Sequence, residues 1–328
     1  MFQGECMIGF GRWALAAGAA LCLALPAVAH GETQAEVLTP GAAAGTVLGE
    51  HRFVLTFEPT AVDGMGLVRS KFQREGVFAE LLSEMADQIA LPQDIPVTFT
   101  DCGGANAYWS PAERSLTICY ELMALYNTSY AHIEGEEQAF LKGLEAEDVL
   151  MGTTLFILMH ELGHGLTDVF DLPITGKEED AVDQFATLAL IGADEESDSF
   201  EERPSRLALL GAYFFMQLAG EPAELTRDIF SDEHALGQQR YYDVMCLVLG
   251  ANPDLYAPIL TPGLMMVLET ADKSPGQFDG EKVQDWLRKT DALNILPYSR
   301  AVRCPAEYAR YNASWDFMFD TFMVPQGQ

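Results

Sequence analysis

Basic residues are scarce in this chain. Its 328 residues hold 19 Lys and Arg against 49 Asp and Glu, a formal net charge of −30. That balance excludes nucleic-acid binding, which needs clustered Lys and Arg to neutralise phosphates. It equally excludes docking on anionic lipid, and it favours solubility. None of the six cysteines forms a C-x-x-C pair, which argues against a structural zinc site built from them. No internal repeat appears, and no linker divides the chain after Glu50. Beyond the N-terminus, no uninterrupted apolar run reaches the length expected of a transmembrane helix.

The N-terminus does carry a targeting pattern. Arg12 precedes an apolar stretch from Trp13 to Pro26, which closes on Ala27-Val28-Ala29, a small-residue cleavage signature. The expectation is a signal peptide over residues 1–29, a flexible Ala-, Gly- and Thr-rich leader over 30–50, and one domain over 51–328. Met7 is an alternative start, and an uncleaved anchor is the alternative to cleavage. The expected location is the bacterial periplasm or the outside of the cell, with no stable membrane insertion after cleavage. Removal of the signal leaves Cys102, Cys119, Cys246 and Cys304. An even number in an exported chain predicts two disulfides. Cys102 and Cys119 flank an expected hairpin and are paired on that ground. Cys246 then pairs with Cys304, tying the C-terminal tail to a helix.

The apolar pattern gives an order of elements. Residues 52–57 and 95–100 read as strands, with helical spacing between them at 72–90. Residues 105–109 and 115–120 read as two short strands around the turn-forming Ser110-Pro111-Ala112-Glu113. Helices are then expected at about 147–169, 178–191, 207–218 and 234–249, with an acidic solvated loop at 194–202. The fold class is therefore α+β: a small antiparallel or mixed sheet, then a mainly helical lobe, sharing one core.

The chemistry concentrates in His160-Glu161-Leu162-Gly163-His164. Histidines four apart share one helix face, so both imidazoles can bind one metal ion. Glu161 lies on an adjacent edge, within reach of a water at that metal without occupying it. This is the HExxH logic, with zinc as the ion and Glu161 as general base. Gly163 and Gly165 cost about 1 kcal/mol each relative to Ala in a helix interior, which points to close approach by another element. A catalytic zinc needs a third protein ligand, and the next helix, Glu178-Glu179-Asp180-Ala181-Val182-Asp183, offers one. Glu179 and Asp183 are four apart, so Glu179 is the candidate ligand. Asp183 is then the acceptor for the second N–H of a ligand histidine. The helical wheel keeps Glu178 open as the ligand.

These motifs resemble the gluzincin peptidases, the thermolysin-like zinc proteases. The run HELGHGLTDVFDLPITGKEEDAVDQ is also similar to an uncharacterised bacterial family of HExxH zinc metallopeptidases, over roughly residues 53–319. The resemblance implies a zincin-like fold, with a small sheet over the active-site helix and a helical lobe closing the cleft. It implies one zinc ion and hydrolysis of peptides or proteins. The chain departs from thermolysin in size and in the short gap between its two motifs. Asn106-Ala107-Tyr108-Trp109 resembles the edge strand on which thermolysin-like enzymes bind the substrate backbone, which makes Asn106 and Ala107 candidate substrate-binding residues. His234 is the candidate stabiliser of the oxyanion, with Arg240 and Tyr241 as rivals; it is placed at the start of a helix. An amidase acting on cell-wall peptides and a binding protein with a vestigial metal site are the alternative functions. His51 and His132 have no supporting pattern and read as surface residues.

Overall fold

Gly76 divides the expected helix at 72–90 into two. It takes a left-handed φ of 74°, ending α1 (Met65–Glu75) and starting α2 (Val77–Gln88). A glycine adopts that conformation without the steric penalty of a Cβ. The computed structural model describes residues 46–130, 144–192, 205–219, 231–273 and 280–325. All of them belong to one unit, Pro40–Gln328. The expected signal peptide, the leader up to residue 45, the acidic loop at 194–202 and His132 lie outside the described residues.

The sheet is small and mixed. β1 (Phe53–Phe57), β2 (Ile95–Thr100), β3 (Ala107–Ser110) and β4 (Ser115–Cys119) stand in the order β1-β2-β4-β3. β1 pairs with β2 in parallel and β2 with β4 in parallel, while β3 runs antiparallel to β4. The β1–β2 crossover passes through α1 and α2, as a parallel pair requires a long connection. Phe78 of α2 is fully buried at the sheet, edge-on to Phe99 with ring centroids 5.3 Å apart, and Phe99 stacks on Phe57 at 4.6 Å. Alternation in β2 puts Ile95, Val97 and Phe99 into this core. β3 forms one edge of the sheet.

The rest is helical. α3 (Tyr120–Tyr130), α4 (Ala146–Val169), α5 (Glu178–Gly192), α6 (Ser205–Ala219) and α7 (Gly237–Ala251) follow. They are succeeded by α8 (Pro253–Leu260), α9 (Pro262–Lys273), α10 (Gly280–Thr290), the short α11 (Tyr298–Ala301) and α12 (Cys304–Met318). α4 is buried on nearly all sides, including Phe156, Leu158, Met159, Leu162 and Leu166. A helix that is apolar all round must be a central one. The expectation that no later segment would have transmembrane length needs correction here. Residues 149–169 are long and apolar enough by length and composition, but 89% of the apolar window is buried inside the fold. Protein, not lipid, covers it.

Cys102 is joined to Cys119 and Cys246 to Cys304. The first bridge pins the loop before β3 to the end of β4. The second links α7 to the first residue of α12, across 58 positions of chain. Bridges of this kind are consistent with an oxidising extracellular compartment.

Candidate metal centre and active site

α4 and α5 meet where both carry their motif residues. Gly163 makes this possible: a Cβ there would lie 2.8 Å from Cβ of Val182 on α5, closer than packed atoms allow. With α5 pressed against this face, the Glu179 carboxylate reaches both imidazoles. Glu179 Oε2 is 3.3 Å from His160 Nε2, and Oε1 is 3.3 Å from His164 Nε2. The ligand atoms of His160, His164 and Glu179 all lie within 4.8 Å of one another.

Each imidazole is oriented through its other nitrogen. His160 Nδ1 is 2.8 Å from Asp183 Oδ1, and His164 Nδ1 is 2.7 Å from Glu178 Oε1. The two adjacent glutamates therefore face different atoms. Glu178 sits on the outer side of His164, away from the point on which the Nε2 atoms converge. Sequence reasoning did not foresee this partner for His164. Asp183 is itself gripped by Arg240, which donates from Nε at 2.7 Å and from Nη2 at 2.8 Å. The guanidinium lies 3.6 Å over the Phe215 ring. Arg240 is thus committed to Asp183, and Tyr241 is buried with 2% exposure. Neither lines the cleft at the histidines.

His234 does line it. It lies in the segment before α7, not in a helix, which corrects the expected element. The Asp232 carboxylate bends that segment back, accepting from His234 N at 2.8 Å and lying 3.0 Å from His234 Nδ1. The imidazole Nε2 is thereby 3.2 Å from Glu179 Oε2. Glu179, Glu233 and His234 form a second converging group that shares Glu179 with the first. His51, by contrast, is remote from the cleft, with Nδ1 3.1 Å from Asp94 Oδ1.

One polar atom marks the centre. Glu179 Oε2 is buried and has no aligned hydrogen-bond donor, although two imidazoles lie within ion-pair range of it. A buried carboxylate oxygen in that condition calls for a cation. Two imidazole nitrogens and a carboxylate are a donor set that suits zinc among divalent ions. The residues present therefore fit a bound metal.

The electrostatics agree with the division of roles. Burial works against the Glu179 carboxylate, but the His160 and His164 imidazoles hold it well below the usual carboxylate range. Burial likewise opposes charge on Asp183, and Arg240 with His160 outweighs it, so its pKa is lowered. For His160, burial opposes the charged form, yet Asp183 and Glu179 lift its pKa to about 9. Glu161 differs: burial raises its pKa, with His160 and His164 pulling the other way. A carboxylate that is shielded from water but still able to ionise suits a proton acceptor.

Trp109 is the contributor that sequence reasoning missed. Its backbone N–H donates to Glu161 Oε2 at 3.1 Å, and its indole Nε1 donates to Asp168 Oδ2 at 3.0 Å. Trp109 opposes Leu116 and Ala107 opposes Ile118, while Asn106 O accepts from Cys119 N at 3.0 Å. Alternate residues of an antiparallel edge turn their amide groups outward. The outward pair here is Ala107 and Trp109, and Asn106 O is already taken by β4. Asn106 and Ala107 both line the cleft. The signal was available in the period-2 pattern, which sets Trp109 two positions from Ala107.

Gly165 lets that tryptophan lie on α4, since a Cβ there would be 2.9 Å from Trp109 Cε3. Gly165→Ala is expected to destabilise the fold by about 1–3 kcal/mol through overpacking. It should also displace Trp109 and with it the donor on Glu161. Chemical denaturation of the variant checks the loss of stability.

Residues 58–289 match the family described as "Putative metallopeptidase", which is more than half of the chain. Neither the comparison with curated proteins nor that with solved structures returned a match.

Proposed function

Because the chain belongs to the family described as "Putative metallopeptidase", we propose that it is a zinc-dependent peptidase of zincin-like fold. His160, His164 and Glu179 hold one ion, and Glu161 is the general base. The observation that carries the reading is that the ligand atoms of those three residues lie within 4.8 Å of one another, with the buried Glu179 Oε2 among them left without a hydrogen-bond donor. A zinc ion at such a site supplies Lewis acidity, which acidifies a water and polarises a carbonyl.

The chain's own residues do the rest. Asp183 and Glu178 fix the tautomers of His160 and His164 so that both Nε2 lone pairs face inward. Arg240 holds Asp183 in place. The outward N–H and C=O of Ala107 and the outward C=O of Trp109 on the edge strand receive the substrate backbone as an added strand, the Trp109 N–H being held by Glu161. Glu161, held by Trp109 N–H, takes a proton from the attacking water and delivers it to the leaving nitrogen. His234, acting as an imidazolium with its Nδ1–H on Asp232, donates from Nε2 to the carbonyl oxygen as it gains charge. The disulfides support a place of action in the periplasm or outside the cell.

Treatment with a strong chelator is expected to abolish hydrolysis of a peptide substrate, and stoichiometric zinc to restore it. Activity that survives complete removal of metal sinks the reading. The same assay on peptidoglycan fragments and on casein separates a cell-wall amidase from a general peptidase.

A further inference from the structure

Lys177 stands directly before α5 and the two glutamates of the site. Its carbonyl oxygen accepts from Ala181 N at 3.3 Å, which makes it the cap of that helix. A lysine is not a favoured cap, and its charge lies at the positive end of the helix dipole. Helix stability therefore does not account for it. Its ammonium instead crosses to the segment that carries His234, 55 and 57 positions further along the chain, donating to Asp232 O at 3.2 Å and to His234 O at 3.5 Å. Two of the three N–H donors of a lysine are thus spent on carbonyls of that one segment.

The segment has little else to place it. Residues 232–236 lie outside any helix or strand. The bonds between Asp232 and His234 and from Leu236 N to Gln239 Oε1 are local, so they shape the turn without locating it. Among the described residues, the two bonds from Lys177 are the hydrogen bonds that tie the backbone of residues 232–234 to another element. Packing does not replace them, since 44% of the His234 side chain is exposed. Its Nε2 nevertheless stands 3.2 Å from Glu179 Oε2, beside the metal centre. Misplacing such a group by about 1 Å can cost about 10²-fold in rate. Three consecutive residues so hold three parts of the site: Lys177 the segment of His234, Glu178 the His164 ring, and Glu179 the point between the imidazoles.

We propose that Lys177 is a positioning residue for peptide hydrolysis. It holds the carbonyls of Asp232 and His234 to the start of α5, and so sets His234 Nε2 where negative charge develops on the substrate carbonyl. This rests on the peptidase reading above and on the part given there to His234. Lys177 does not itself line the cleft; it acts through the segment it holds. Lys177 and Glu179 lie within one helical turn, so the oxyanion donor and the ligand set are referred to the same rigid element.

The test is a double-variant cycle on the zinc-loaded full chain: the parent, Lys177→Met, His234→Ala and the two combined, with kcat, KM and zinc content measured for each. His234→Ala is expected to lower kcat about 10²-fold. Lys177→Met should lower kcat about tenfold, with KM little changed and zinc content as in the parent. In the His234→Ala background it should cost nothing further, because the group it positions is gone. Lys177→Arg, which can also donate to two carbonyls, should recover most of the loss. Lys177 is solvent-exposed, so Lys177→Met should fold. Hydrogen exchange on the metal-free chain gives a reading that needs no activity. Amides of residues 232–236 should exchange faster in Lys177→Met, and those of α5 as in the parent. An unchanged kcat in Lys177→Met, an equal loss with and without His234, or a loss of zinc overturns the proposal. Unaltered exchange in residues 232–236 does so as well, and so does a His234→Ala variant that keeps the parent's kcat. If the zinc-loaded parent cleaves neither peptides nor casein, the peptidase reading itself fails.

Discussion

Glu161→Gln is expected to keep its metal and to lose peptide hydrolysis by about 10²–10⁴-fold in kcat, the usual range for removing a general base. Gln has nearly the same volume and can still accept from Trp109 N–H through its carbonyl oxygen, so the local packing survives. What it lacks is a site for the proton. His160, His164 and Glu179 are unaltered in the variant, so metal content should remain one ion per chain. Elemental analysis and peptide kinetics on the same preparation provide the check. A variant that retains metal and hydrolyses within tenfold of the parent would exclude Glu161 as the base. A variant that loses both metal and activity would say instead that Glu161 supports the ligand set.

Asp183→Ala should produce the largest change in stability, about 3–5 kcal/mol, because it leaves a buried charge without its partner. Arg240 has only 12% of its side chain exposed, and Asp183 10%. Both guanidinium contacts end on that one carboxylate. The same change removes the acceptor from His160 Nδ1. Metal affinity should therefore fall by about 10–100-fold, as it does when the orienting partner of a ligand histidine is lost. Urea unfolding measures the first effect and competition with a metal chelator the second. Arg240→Met separates them. It removes the guanidinium but leaves Asp183 on His160, so it should lower stability with a smaller loss of metal affinity. An unchanged unfolding midpoint in Asp183→Ala would mean that the pair contributes nothing net.

Much of the site was legible because its geometry is local. Histidines at 160 and 164 need only a helix to share a face, and the apolar run before them supplies that helix. The four-residue step from Glu179 to Asp183 has the same basis. The cysteine pairing was legible because a hairpin brings Cys102 and Cys119 together, which leaves Cys246 for Cys304. The break at Gly76 was less visible, since the apolar spacing continues across it. The helices after residue 250 carry weaker patterns and were not delineated.

The remaining assignments depend on how elements cross. Composition and periodicity were enough for the α4 face that carries His160 and His164, the helix that follows with its acids, and the excess of negative charge. Which of two adjacent glutamates faces both imidazoles depended on how α5 packs on α4; that packing is a tertiary contact. On one helix, Glu178 and Glu179 differ by about 100° in direction. The close contact of Gly163 with Val182 settles which direction meets α4. Tertiary packing also decided that Arg240, remote in sequence, holds Asp183 and so is not free to face the cleft. The edge strand's contribution through Trp109 has the same origin. These are contacts between segments distant in the chain, and periodicity reports a face, not the partner that the face will meet.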